Sequence, residues 1–149
     1  MTGGNGVVEQ TLLRRSAHLD PVPASAGEAR RVVRHALAEA GESEAVYAAE
    51  VAVSELVTNA ILHAATPLEL TVEITDKAVV VSVRDLSPRL PTQRHWSDTA
   101  TTGRGLKLVR AMTDQFGVDS PGEDGKAVWF RLTRQAGVGE APTGGTAED

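Results

Sequence analysis

The chain reads as an α+β fold, a two-layer sandwich with helices on one face of a mostly antiparallel, mixed sheet. Three observations point there. Two segments, near 25–40 and 48–64, carry apolar residues at helical spacing. Segments such as LELTVEIT (68–75) and AVVVSVRD (78–85) alternate or run β-branched, as half-buried and central strands do. Short polar turns join the strands into pairs, so the order is helix, helix, strand pair, loop, helix, strand pair.

Each element can be justified in turn. Residues 1–8 hold three glycines and little to bury, and are expected to be disordered. The domain is expected over 9–134. Residues 9–19 (EQTLLRRSAHL) read as an edge strand, and 20–24 as a proline-bearing turn. Ser25 with Glu28 three residues later reads as a capping box. It opens a helix with Ala29, Val32, Val33, Ala36, Leu37 and Ala40 on one side, closed by Gly41. Ser43 is the expected cap of the next helix, which carries Val53, Leu56, Val57, Ala60, Ile61 and Ala64 as its buried stripe. Thr66 and Pro67 turn the chain out of it.

After the first hairpin, joined by Asp76-Lys77, residues 86–103 are polar, aperiodic and interrupted by Pro88 and Pro91, a long loop. GRGLKLVRAMTDQF (103–116) reads as a helix with Leu106, Leu108, Val109 and Met112 inward. Residues 116–119 and 126–133 read as a second hairpin around PGEDG. Residues 135–149 form a Gly/Pro/acidic tail expected to be disordered.

Composition bounds the function. The 149 residues are 41% hydrophobic and 23% charged, which suits one domain with its own core. Only 3% are aromatic, so that core must be built of Val, Leu, Ile and Ala. Cysteine is absent, which removes disulfides, thiolate metal sites and a Cys nucleophile, and fits a cytoplasmic setting. No apolar run approaches a membrane span of ~20 residues, and no secretory leader is expected. The net charge of −5 argues against direct nucleic-acid binding. The segment 84–110 is nonetheless net +4, which suits a small polyanion.

On the 48–64 helix, Glu55, Asn59 and His63 stand four apart and share one face beside the apolar stripe, about 6 Å apart along the axis. Such a row is often only a solvated side. Here it could also set a carboxylate able to act as general base beside an amide oxygen able to ligate Mg²⁺. Asp85 ends an apolar strand, where it could start an Asx turn or accept from an exocyclic amine such as that of adenine. In TTGRGLKLV (101–109), two glycines frame Arg104 at a helix start, and Thr101 and Thr102 add hydroxyls. Glycine allows close approach to a phosphate, and a helix N-terminus offers unpaired N–H groups. GKAVWF (125–130) by itself is an ordinary glycine turn into a strand, with Trp129 and Phe130 as packing residues.

Taken in order, SELVTNAILHA, VRDLSPRLP, TTGRGLKLV and GKAVWFRL resemble the N, G1, G2 and G3 boxes of the GHKL-type ATP-binding superfamily, the Bergerat or histidine-kinase-like ATPase fold. Within it the chain is most similar to the small bacterial anti-sigma-factor serine/threonine protein kinases, over roughly 20–134. The resemblance implies an ATP- and Mg²⁺-dependent kinase that binds a sigma factor and phosphorylates an anti-anti-sigma factor. It also implies a homodimer, with the N-terminal strand as its contact. It places Glu55 as general base, Asn59 as Mg²⁺ ligand and Asp85 on adenine. The phosphates would meet Thr101, Thr102, Gly103, Arg104, Gly105 and Leu106, with 86–102 as the lid and His63 as structural support. One departure stands out. The usual D-x-G-x-G is Asp85-Leu86-Ser87-Pro88-Arg89 here, and a rigid proline should narrow lid motion. That departure keeps an alternative open: a regulatory module, with or without nucleotide, that sequesters a protein partner and has no kinase activity.

Overall fold

Strict alternation organises the sheet. Leu68, Leu70, Val72 and Ile74 are fully buried, and the residues between them are half-exposed. In this computed structural model, which describes residues 9–64, 66–85, 107–122 and 125–135, they belong to β2 (Leu68–Thr75). The strand β1 (Thr11–Leu19) lies at one edge of a five-stranded sheet, and β3 (Ala78–Asp85), β5 (Gly125–Thr133) and β4 (Gln115–Gly122) follow β2 toward the other. The spatial order is β1-β2-β3-β5-β4, and every described pairing is antiparallel.

The helices α1 (Ala24–Glu39) and α2 (Val46–Ala64) cover one face, α1 over β1 and β2, α2 over β3 and β5. Between the layers Val33, Leu37, Val53, Leu56 and Val57 meet Val81, Val83, Val128 and Phe130. With so few aromatics, Phe130 is the largest of the fully buried side chains. Residues 107–112 are helical and place Val109 in the same core, while Leu108 and Met112 are half-buried. This helix ends earlier than its periodicity predicts, because β4 already begins at Gln115 and takes residues 115 and 116 into the sheet.

Two expected caps are corrected. Ser25 does not cap α1. The helix starts two residues earlier than that cap would set it, at Ala24, with Pro23 at the cap position and no side-chain cap. The Ser25 hydroxyl instead donates to the Asp20 carbonyl at 2.6 Å, because Pro23 already has helical backbone angles and presets the turn. Ser43 does not cap α2. The bend ahead of α2 is held instead by Glu42, whose Oε2 accepts from the Glu44 and Ala45 N–H groups, both at 2.9 Å, just before the first helical residue, Val46. The α1 terminus matches expectation. Gly41 adopts φ +76°, its N–H donates to the Ala38 carbonyl, and the Glu42 N–H donates to Leu37, a Schellman closure.

Glu42 and Arg134 then tie this corner to the sheet. Both are buried. Arg134 Nε donates to Glu42 Oε1 at 2.9 Å, and its guanidinium also donates to the carbonyls of Thr75 and Ala40. At the start of the chain, Glu9 accepts from Arg131 at 2.7 Å and from the Thr75 hydroxyl. These two contacts hold its carboxyl below the usual carboxylate range.

On the face away from the helices, Trp129 lies across Gly117 on the neighbouring strand. A Cβ at Gly117 would come within 2.5 Å of the Trp129 ring. Gly117→Ala is therefore expected to force the indole aside and to lower stability by about 1–3 kcal/mol, read by chemical denaturation. Unchanged stability would show that the ring moves freely.

Of the segments expected to be disordered or to form the lid, 1–8, 86–102 and 135–149, all but Gln135 lie outside the described residues. Among the described residues, no helix is long and apolar enough to cross a membrane.

Candidate functional site

The α2 sequence explains how a polar row can enter a core. Ala49, Ala52, Val53, Leu56, Val57 and Ala60 bury one side of the helix. Asn59 sits next to that stripe, so helical geometry carries its amide inward, to 4% exposure. Its Oδ1 and Nδ2 are both buried, and neither meets a hydrogen-bond partner among the described residues. Burying an amide without partners costs on the order of 1–3 kcal/mol, so this position is expensive unless a ligand completes it. Glu55, one turn earlier, and His63, one turn later, are half-buried on the same face.

The sheet brings Asp85 to the same end of the molecule. The helix α2 ends at Ala64, and four residues later Leu68 pairs with Asp85 across β2 and β3. At most about 14 Å of chain separates Ala64 from Leu68. In the turn between them the Thr66 hydroxyl is also buried, with no partner among the described residues. Asp85 itself is 2% exposed. Its Oδ2 accepts from Lys126 Nζ at 2.6 Å, in an ion pair whose two side chains are almost wholly buried.

Lys126 is the residue that reading the sequence as an ordinary hairpin missed. The signal was register. Val128, Phe130 and Leu132 point inward on β5, so alternation sends Lys126 inward too, beside the last residue of β3. The remaining candidates, Thr101, Thr102, Gly103, Arg104, Gly105 and Leu106, lie outside the described residues. The groove beside Trp129, which Gln115 and Arg131 help to line, includes none of Glu55, Asn59, Asp85 or Lys126.

This arrangement offers a buried, ligand-ready amide, a neighbouring carboxylate and an inward acceptor–donor pair at one end of the helix–sheet interface. Among the described residues, no three His, Cys, Asp or Glu side chains group as metal ligands.

Comparison with known proteins places the fold. A crystal structure of the RsbU and RsbW domains of Rv1364c from Mycobacterium tuberculosis superposes with a TM-score of 0.57 at 22% identity, over 81% of this chain. The chain spans 32% of that longer protein. The sequence has no significant match among the curated proteins. The family model for the histidine kinase-like ATPase domain matches residues 19–132, from the end of β1 through β5. The chain belongs to the histidine kinase-like ATPase domain family.

Proposed function

We propose that this chain is an ATP-dependent serine/threonine protein kinase of the anti-sigma-factor type, which binds a sigma factor and phosphorylates an anti-anti-sigma factor. The observation that carries the nucleotide reading is Asn59, a buried amide with both polar atoms unpartnered among the described residues. An amide oxygen is a suitable hard ligand for Mg²⁺, which keeps several other ligands from water and phosphate. Asn59 would thus hold the ion, and the nucleotide phosphates would complete its shell. When bound, the ion neutralises charge on the transferring phosphoryl group.

The protein's own residues supply positioning. Glu55 would accept the proton of the acceptor hydroxyl, from a half-exposed place on α2 where a partner's side chain can enter. Asp85 would accept from the exocyclic amine of adenine. The phosphates would lie against Thr101 to Leu106, whose glycines permit close approach. The edge strand β1 would be the place for a homodimer contact, since one side of its backbone has no strand neighbour among the described residues. A cytoplasmic setting accords with the absence of cysteine.

Calorimetric titration with ATP, with and without Mg²⁺, tests the reading. Binding that weakens when Mg²⁺ is removed is the expected result, and Asn59→Ala should abolish that dependence. Absence of nucleotide binding would leave the chain as a partner-sequestering module.

A further inference from the structure

The buried pair formed by Asp85 and Lys126 needs an explanation beyond folding. Taking two charges out of water is costly, and a buried ion pair is often no more stable than an apolar pair of the same size. The rest of the inward row on β5 is apolar: Val128, Phe130 and Leu132. Continuing that row with another aliphatic residue, opposite an aliphatic in place of Asp85, would serve the core equally well. The pair instead lies at the end of the interface where α2 presents the Asn59 amide.

Its chemistry is directional. A carboxylate only accepts hydrogen bonds and an ammonium only donates them, with three N–H groups to offer. The two heads stand 2.6 Å apart, so an acceptor and a donor are fixed side by side. The Watson–Crick edge of adenine carries the complement: the N6 amine donates, and the adjacent N1 accepts. A contact to N6 by Asp85 alone reads one atom of that edge. A contact to N1 by Lys126 reads the second.

We infer that Lys126 is a specificity-determining residue for the nucleobase, donating to adenine N1 while Asp85 accepts from the N6 amine. The inference rests on the ATP reading above and deepens it. In hypoxanthine the two edge positions are reversed, with an acceptor at position 6 and a donor at position 1, so the fixed pair faces the wrong partners. Sites built of buried polar groups reject analogues that leave those groups unpaired.

The test compares ATP with 1-deaza-ATP, in which a C–H group replaces N1, by calorimetry on the intact chain with Mg²⁺. Only the N1 contact is removed, and the N6 amine is kept. Binding of 1-deaza-ATP about tenfold or more weaker than ATP is expected, the size of a lost charge-assisted hydrogen bond. In Lys126→Met the two nucleotides should bind alike, because the donor to N1 is gone. Equal affinities in the intact chain would overturn the inference while leaving ATP binding in place, and would make Lys126 a counter-ion to Asp85 alone. Failure to bind ATP at all would overturn the nucleotide reading itself, and this inference with it. The comparison of nucleotides needs no variant, so a Lys126→Met protein that does not fold leaves the test intact.

Discussion

Glu42→Ala is expected to lower the stability of the chain by about 3–5 kcal/mol. The side chain does two jobs with two oxygens. Oε1 holds Arg134, and Oε2 holds the first free N–H groups before α2. Truncation leaves the Arg134 guanidinium buried without the carboxylate that pairs with it, and with only the Thr75 and Ala40 carbonyls as acceptors among the described residues, and this accounts for most of the loss. Losing the contacts to the Glu44 and Ala45 N–H groups adds about 1 kcal/mol. A domain of this size has only about 5–15 kcal/mol in total, so the midpoint of thermal unfolding should fall by roughly 10 °C or more. Glu42→Gln separates the two roles. Its amide oxygen can still accept from the backbone, but it cannot neutralise Arg134, so it should fall between the parent and Ala. Replacing both Glu42 and Arg134 by Met should recover part of the loss, because no charge is then stranded. A Glu42→Ala protein as stable as the parent would mean that water reaches Arg134 and that the corner is not sealed.

The same corner shows what could be read from sequence and what could not. The helices, the first hairpin and the buried stripe of α2 follow from periodicity, because burial of one face fixes which residues repeat. Leu68, Leu70, Val72 and Ile74 were legible for that reason. Caps are decided by single hydrogen bonds between residues whose backbone angles are not written in the sequence. Ser25 and Ser43 had the right chemistry, but Pro23 set the start of α1 and Glu42 took the amides of Glu44 and Ala45 just ahead of α2. The partner of Glu42 stands 92 residues away, and only the closed sheet brings it near. The candidate site divides in the same way. Glu55 and Asn59 could be picked out because they share a helix. Lys126 could not be, because its meaning depends on the register between β3 and β5, which places it against Asp85.

Glu55→Ala is expected to reduce phosphoryl transfer by about 10²–10⁴-fold, the range for losing a positioned general base. The affinity for Mg·ATP should stay within about twofold, since Glu55 is assigned to the acceptor hydroxyl and not to the nucleotide. Phosphoryl transfer asks little covalent work of a protein, so the residual rate reflects the positioning that remains. The measurement is transfer of labelled phosphate to an anti-anti-sigma domain bearing an acceptor serine, paired with calorimetry of nucleotide binding on the same preparation. Glu55 is half-exposed on α2, so the substitution should leave the fold intact, and unchanged thermal unfolding confirms that the rate loss is chemical. Glu55→Gln sharpens the result. It keeps size and polarity but cannot take a proton at neutral pH, so it should be as slow as Ala. A Gln variant with parental rates would assign proton removal to another group, with His63, one face and two turns away on α2, as the next candidate. No transfer by the parent chain itself, with nucleotide still bound, would shift the function from transfer to sequestration, with ATP acting as a ligand that sets which partner the chain holds.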